Sequence, residues 1–442
     1  MSSGKKGLNH YLFQQESNAP LELFRIAFGF LMLAEAWGAI ATGWVRETFV
    51  DVSYTFPFFG FGWTQFMLGT PMYFFFIVMG IFAIGVMLGY KYKWSIIGLA
   101  ILWSLSYLMQ KTHYNNHYYL VMLVCWIFAF LPVAKRFSID SIRNPGTYAN
   151  VIPSWPRFLL IGLIAIVYFF AAINKIYPDW LKAMPLEIWM SNKAHYPIIG
   201  GFLQQDWIPM IMAQSGIWFD LLIVPALLWK RTRWLAVFAS VGFHLFNSAV
   251  FQIGIFPYFA MAFIVFFFPP HQIEKLVTKG KSFDIKPYQY SIKKRPYIKW
   301  GFIGFLSIML ILPVRHHFIP EDVLWTEAGH RLSWRMMLRT KAGIAQFHVI
   351  ADGEKHTIST RQRLARHQIN DVATKPDLMY TFSRYLEKEF SERGYTEIEV
   401  YVDASISVNG REFKQFTDSE FDLLSTKWNY FGNQKWVLPR PW

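Results

Sequence analysis

Cysteine is all but missing from this sequence, and charge is scarce. Cys125 stands alone, which excludes an intrachain disulfide and leaves any extracytoplasmic part to fold without covalent staples. It lies in the apolar run LVMLVCWIFAF, where a small buried hydrophobe is its expected role. Charged residues make up 16% of the chain against 54% hydrophobic and 19% aromatic, whereas ordinary soluble domains carry about 25% charge. That balance excludes a disordered chain and points to a membrane protein. Phosphate-cradling loops, dinucleotide fingerprints, H-E-x-x-H and paired cysteines are also absent, so the common soluble-enzyme and zinc patterns receive no support and no metal is expected. The polar opening MSSGKKGLNHYLFQQESNAP has no secretory h-region, so the first long apolar helix is expected to act as its own insertion signal.

What the sequence has is long apolar runs. Nine are candidates for the ~20-residue length of a spanning helix: roughly 21–42, 71–89, 94–110, 117–134, 158–176, 209–229, 234–251, 255–270 and 300–314. The first contains Glu22, Arg25 and Glu35; charges at that depth face a bundle interior, so Arg25 and Glu35 are either a structural pair or part of a site. The chain carries 43 Lys and Arg against 29 Asp and Glu, a formal +14. Nucleic-acid binding would place these residues on a charged soluble surface. Here nineteen fall in one alternating set of loops, from Lys5 to Lys299, and five in the other: Arg46, Lys111, Lys175, Lys182 and Lys193. The positive-inside rule then puts the N-terminus (residues 1–20) in the cytoplasm and the C-terminus outside, and gives no nucleic-acid partner.

After about Arg315 the pattern changes. AQFHVIADGEKHTIS reads as a hairpin turning at Asp352-Gly353, PDLMYTFSRYLEKEFSERG as an amphipathic helix stopped at Gly394, and EIEVYVDASISVNGREF as a second hairpin turning at Asn409-Gly410. The expected fold is therefore a polytopic α-helical bundle of about nine transmembrane helices over 21–315, followed by a small α+β extracytoplasmic domain over 316–442.

Polar groups at the ends of membrane spans are the informative ones. KTHYNNHYYLVML opens the fourth run with Asn115, Asn116 and His117. IVYFFAAINKIYPDW closes the fifth with Asn174 and Lys175. GFHLFNSAVFQIGIF holds His244 and Asn247 three residues apart on one helix face. Each has a plain structural role available: Asn115 and Asn116 as caps, Lys175 snorkelling to the interface, His244 bridging helices. The expected topology sets all three at one depth on the outer side, which favours a site. A lysine walled by Tyr168, Phe169 and Phe170 loses hydration, which favours its neutral amine as a general base toward a weak acid dissolved in lipid. The histidines and amides could orient an oxyanion or a neutral gas.

KTHYNNHYYL, IVYFFAAINKIYPDW, FHLFNSAVFQIGIF, RLSWRMM and the terminal WVLPRPW, in that order from about Leu23 to Trp442, resemble the vitamin K-dependent gamma-glutamyl carboxylases and the wider bacterial family that shares their transmembrane domain. The resemblance implies an integral membrane enzyme that couples oxygenation of vitamin K hydroquinone, with O2 and CO2, to carboxylation of protein glutamate, releasing the epoxide. By motif position Lys175 corresponds to the lysine that deprotonates the hydroquinone, and His117 to a histidine linked to the carbanion and CO2. Asn116 and His244 correspond to their companions. RLSWRMM corresponds to a segment near the glutamate site, which implies Ser333, Trp334 and Met336 close to a glutamate-containing peptide or protein substrate.

The sequence also departs from the animal members, which are longer. Asn174 stands where a lysine is usual, His330 and Leu332 where tyrosines stand, and Arg335 where an acidic residue stands; the animal disulfide has no counterpart. With no disulfide and a shortened outer domain, a bacterial cell membrane is the expected location. The alternatives are a quinol-oxygenating relative with another acceptor, and a transporter or lipid-binding scaffold, which would show paired Gly/Pro-broken helices in two related halves.

Overall fold

The computed structural model describes residues 7–281, 284–289 and 291–442. Lys5 and Lys6 of the expected cytoplasmic segment, and Ser282, Phe283 and Tyr290 of the basic loop, lie outside the described residues.

Each of the nine apolar runs contains helix, but not all are spans. Among the described residues six helices are long and apolar enough to cross a bilayer, seven if a bent pair is taken as one. In chain order the bundle consists of α1 (Ala19–Ala41), α2 (Pro71–Leu88), α3 (Tyr92–Met109), α4 (Asn116–Phe130), α5 (Trp155–Ile173), α6 (Ile208–Leu228), α7 (Arg233–Phe251), α8 (Phe256–Ala262), α9 (Pro270–Thr278) and α10 (Arg295–Ile311). The expectation of nine spans is therefore corrected at four places. Lys93, Ser95, Ser104 and Ser106 dilute α3, which is not among the six. Helix α4 has 15 residues, about 22 Å at 1.5 Å per residue, short of the ~30 Å hydrocarbon core. It stops because Leu131 precedes Pro132 and is extended. The eighth run breaks between Phe267 and Pro270 with a bend of 102°, where Pro269-Pro270 cannot continue a helix. The ninth is longer than expected, continuing as helical turns over Ile292–Phe318.

Close packing in lipid relies on small residues and satisfied polar groups. A Cβ at Gly29 of α1 would lie 2.6 Å from Met87 Cα of α2, so only glycine permits that crossing. Arg25 does not pair with Glu35. It is fully buried, bonds Glu22 at 2.9 Å one turn away, and donates to the carbonyls of Val86, Met87 and Phe137. Ten residues separate Arg25 from Glu35, so they sit almost three turns apart; Glu35 instead accepts from Tyr118 Oη at 2.6 Å. Cys125 is buried in the apolar core, as read from the sequence.

The C-terminal domain is α+β. Strands β3 (Lys341–Ala351), β4 (Glu354–Ile358), β5 (Ile398–Val408) and β6 (Lys414–Gln415) form an antiparallel sheet in the order β4-β3-β5-β6; β1 (Gln15–Ser17) and β2 (Val151–Pro153) form a separate ribbon in the first domain. Helices α11 (Arg366–Thr374) and α12 (Pro376–Glu392) cover one face. Asp352-Gly353 and Asn409-Gly410 turn with positive φ, as type I′ hairpins require. The second hairpin is slight, because β6 is two residues long and β5 pairs along its whole length with β3.

Buried ion pairs fasten this domain to the bundle. Asp377 of α12 takes Lys111 at 3.0 Å and Arg331 at 2.8 Å, and Asp179, just after α5, takes Arg411 and the Asn409 amide at 2.8 Å. Phe56, from the loop between α1 and α2, joins the core of the C-terminal domain.

Candidate functional site

The end of α5, the start of α4 and the middle of α6 and α7 meet at a cavity of about 280 Å³. Its lining includes Asn115, Asn116, His117, Lys175, His244, Asn247 and Met336. Three sequence clusters spread between Asn115 and Asn247 are thus one place.

Lys175 follows the last turn of α5. Its Nζ donates to Ala171 O at 3.1 Å and to the Asp220 carboxylate of α6, and it stands 5.6 Å from the Trp180 ring centroid. Of the expected wall of Tyr168, Phe169 and Phe170, only Tyr168 lines the cavity with it. Phe169 is 46% exposed on the outside of α5, because on a 3.6-residue helix the residue seven positions back shares the lysine's face whereas those five and six back are turned away from it. The wall is Trp180 and Gly216, where a Cβ would sit 3.7 Å from Lys175 Cε. Asp220 was missed in the sequence; a lone carboxylate in the run IWFDLLIV is the signal that marks it.

His244 is buried, with Nε2 bonded to Tyr168 Oη at 2.8 Å and Nδ1 buried without a protein partner. His117 lies nearly parallel to Phe256, with ring centroids 5.2 Å apart. Asn115 caps α4, accepting from Tyr118 N at 2.7 Å. Asn247 lines the cavity one turn beyond His244.

The two remaining asparagines hold a loop. Asn174 Nδ2 donates to Ser333 O at 2.9 Å and Asn116 Nδ2 to Arg335 O at 2.9 Å. Tyr114 Oη receives Leu332 N at 2.6 Å and donates to Asn116 Oδ1 at 3.1 Å. The held loop is RLSWRMM, in which Leu332, Trp334 and Met337 all have positive φ, a conformation that persists only where surroundings over-determine it. The expectation for that motif divides. Met336 reaches the cavity. Ser333 is fully buried, donating to Gly329 O at 2.7 Å, and Trp334 packs on Tyr119 with centroids 5.0 Å apart; both are beneath the loop and do not line the cavity.

The loop also brings His330, Arg335 and Arg339 to the cavity mouth. Arg335 bonds Asn174 Oδ1 and His316 Nε2, each at 3.1 Å, while its Nε is buried without a partner. Burial, with Arg339 alongside, pushes Arg335 down to about 10, which leaves it a cation at neutral pH. The same two causes hold His330 well below the ordinary histidine range, so its imidazole is neutral. Arg339 forks onto Glu327, with Nε 2.7 Å from Oε1. The described residues contain no group of three or more His, Cys, Asp or Glu side chains placed to hold a metal ion.

A polytopic helical bundle, an apolar cavity with converging polar groups at one membrane face, and a docked α+β domain together define a multi-pass membrane protein with a site at the junction of its two domains. The HTTM domain model matches residues 13–271, and the model of the vitamin K-dependent gamma-carboxylase, lumenal domain, matches residues 294–441. The chain belongs to the vitamin K-dependent gamma-carboxylase family. No solved structure matches it.

Proposed function

We propose that this protein is a peptidyl-glutamate gamma-carboxylase that uses vitamin K hydroquinone, O2 and CO2, with its C-terminal domain extracytoplasmic, its N-terminus cytoplasmic and a bacterial cell membrane as its location. The observation that carries the reading is the convergence of Lys175, His117 and His244 on one cavity in a chain matched by both domain models.

The residues suit a lipophilic phenol. Tyr168, Phe243 and Phe256 supply apolar walls, and Ser215 and Phe246, both exposed, mark an opening between α6 and α7 toward lipid. When bound, the quinol supplies the reducing electrons and, once oxygenated, a base strong enough for a glutamate γ-hydrogen. Lys175 accepts the phenolic proton at Nζ as its own proton passes along the hydrogen bond to the Asp220 carboxylate, which leaves the phenolate beside a re-formed ammonium and a neutral Asp220 carboxyl. With Tyr168 donating to Nε2, His244 carries its proton on Nδ1, the unpartnered atom, and offers it to an oxyanion. His117, stacked on Phe256, lies at the meeting point of quinol and peptide. Arg335 and Arg339 bind the substrate carboxylate at the mouth, and Met336 packs on its side chain. Asn116 and Asn174 act through the loop that carries these groups, as positioning residues.

The test is mass spectrometry of a glutamate-containing peptide after incubation with purified protein, reduced vitamin K and labelled bicarbonate. The expected result is a labelled carboxyl gain on glutamate accompanied by epoxide. Epoxide without carboxyl gain would assign the protein to quinol oxygenation with another acceptor, and neither product would sink the enzymatic reading.

A further inference from the structure

A second and larger cavity, about 1480 Å³, opens at the helix ends opposite the C-terminal domain, between the start of α3, the end of α4 and the start of α10. It exists because α10 stands away from the bundle there. That helix leans on α5 through Leu306, whose Cδ1 would lie 3.0 Å from a Cβ at Gly162. Only Met309 of α10 is buried. Both contacts lie in the half nearer the C-terminal domain, and the opposite half is left with a groove beside it.

The groove has two chemistries at two depths. Its apolar wall includes Trp94 and Phe130, which are 73% and 78% exposed. Its rim carries Lys91, Lys93, Lys135 and Lys294. The one carboxylate there, Asp140, is occupied by the backbone N–H groups of Lys91 at 2.9 Å and Tyr92 at 2.8 Å. None of the four lysines forms an ion pair among the described residues. Lys93 donates to Ala129 O, and Lys135 stands 5.5 Å from the Tyr288 ring centroid. Lys93 and Lys135 thus have neutral partners, and among the described residues the only carboxylate lining the groove is Asp140.

We propose that this groove binds an anionic phospholipid, its phosphate among Lys91, Lys135 and Lys294 and an acyl chain along Trp94 and Phe130. A soluble anion would leave the apolar wall uncovered, and a neutral lipid would leave the lysines unmatched; basic pockets between spanning helices are suited to acidic headgroups. The lipid wedges α10 against the bundle and thereby supports the span that leads into the C-terminal domain.

Native mass spectrometry of the full-length protein in detergent tests the site, with equimolar phosphatidylglycerol and phosphatidylcholine added. The expected result is preferential retention of one phosphatidylglycerol, its loss in Lys91→Ala/Lys135→Ala/Lys294→Ala, and its retention in the corresponding triple arginine variant. Thermal unfolding supplies a second readout: phosphatidylglycerol raises the midpoint of the wild-type protein and inorganic phosphate does not. Equal retention of the two lipids by wild type, undiminished retention by a monodisperse alanine variant, or stabilisation by phosphate equal to that by the lipid would overturn the proposal. If the alanine variant aggregates, the wild-type lipid competition and the phosphate control decide it alone.

Discussion

Asp220 is the only acidic residue of its helix, and it receives the amine of Lys175, 45 residues earlier in the chain, inside the cavity. A buried charge pair is weak evidence for stability, because desolvation offsets the attraction, yet breaking it by removing one partner leaves an uncompensated charge. The pair therefore separates stability from catalysis. Lys175→Ala is expected to lower epoxide formation by ~10²–10⁴-fold, the range for loss of a general base. Asp220→Ala strands the lysine and is expected to cost ~3–5 kcal/mol of stability. Lys175→Met/Asp220→Leu should recover most of that stability and none of the activity, measured by thermal unfolding beside product chromatography. Turnover unchanged in Lys175→Ala would remove the lysine from its role.

Asn116 and Asn174 act on the loop that carries Arg335 and Met336. Removing either amide leaves a buried carbonyl unpaired, a cost of ~1–3 kcal/mol. Asn116→Ala and Asn174→Ala are expected to raise KM for the peptide more than they lower kcat, whereas Lys175→Ala lowers kcat. Steady-state kinetics with varied peptide and saturating quinol distinguish the two patterns.

Arg335 offers a charge test at the mouth. Arg335→Gln keeps a hydrogen-bonding side chain but removes the cation proposed to bind the substrate carboxylate, and is expected to raise KM for a glutamate peptide. The same variant should leave binding of an analogue peptide with glutamine at that position unchanged. Equal weakening of both peptides would show that Arg335 serves the loop and not the carboxylate.

Arg25 is a structural residue. Arg25→Ala leaves Glu22 and the carbonyls of Val86, Met87 and Phe137 without their shared donor, and is expected to destabilise the bundle by ~3–5 kcal/mol. Activity per folded molecule should be unchanged, a comparison made by normalising turnover to the monodisperse fraction.

Two buried carboxylates, Glu327 and Asp377, make the C-terminal domain sensitive to acid. Burial alone would raise Glu327, but Arg339 and Lys341 hold it below its ordinary value of 4.5. Burial opposes Arg331 and Lys111 in the same way at Asp377, which is held below 3.8. A carboxyl depressed in the folded state binds fewer protons there than in the unfolded chain, so stability rises with pH through the acid range. The contribution is complete above about pH 4.5 and declines as pH falls below it. Thermal midpoints from pH 7 to pH 3 are expected to fall less steeply in Glu327→Gln and Asp377→Asn, both less stable at pH 7.

Much of this was legible in the sequence because local physics writes it there. The hairpin turn at Asp352-Gly353, the helix stopped at Gly394 and the burial of Cys125 follow from turn chemistry and hydrophobic pattern. The span count was not legible at Pro132 and Pro269-Pro270, since hydropathy alone registers neither a helix stop nor a bend. Asp220 was overlooked because its importance lies in Lys175, on another helix. Ser333 and Trp334 were assigned to the substrate because adjacency in a motif does not reveal which side chains face a cavity; alternating positive φ turns them beneath the loop.

By itself the sequence determined the membrane class and the two-domain order, and it singled out Lys175, His117 and His244, which line one cavity. Only the tertiary structure decided who stands beside them: Asp220 on the lysine, Tyr168 on His244, and two asparagines on a loop far along the chain. The reason is physical. Periodicity and turn residues act over a few positions, whereas the partners of a buried polar group are set by which helices meet, and that depends on packing across the whole chain.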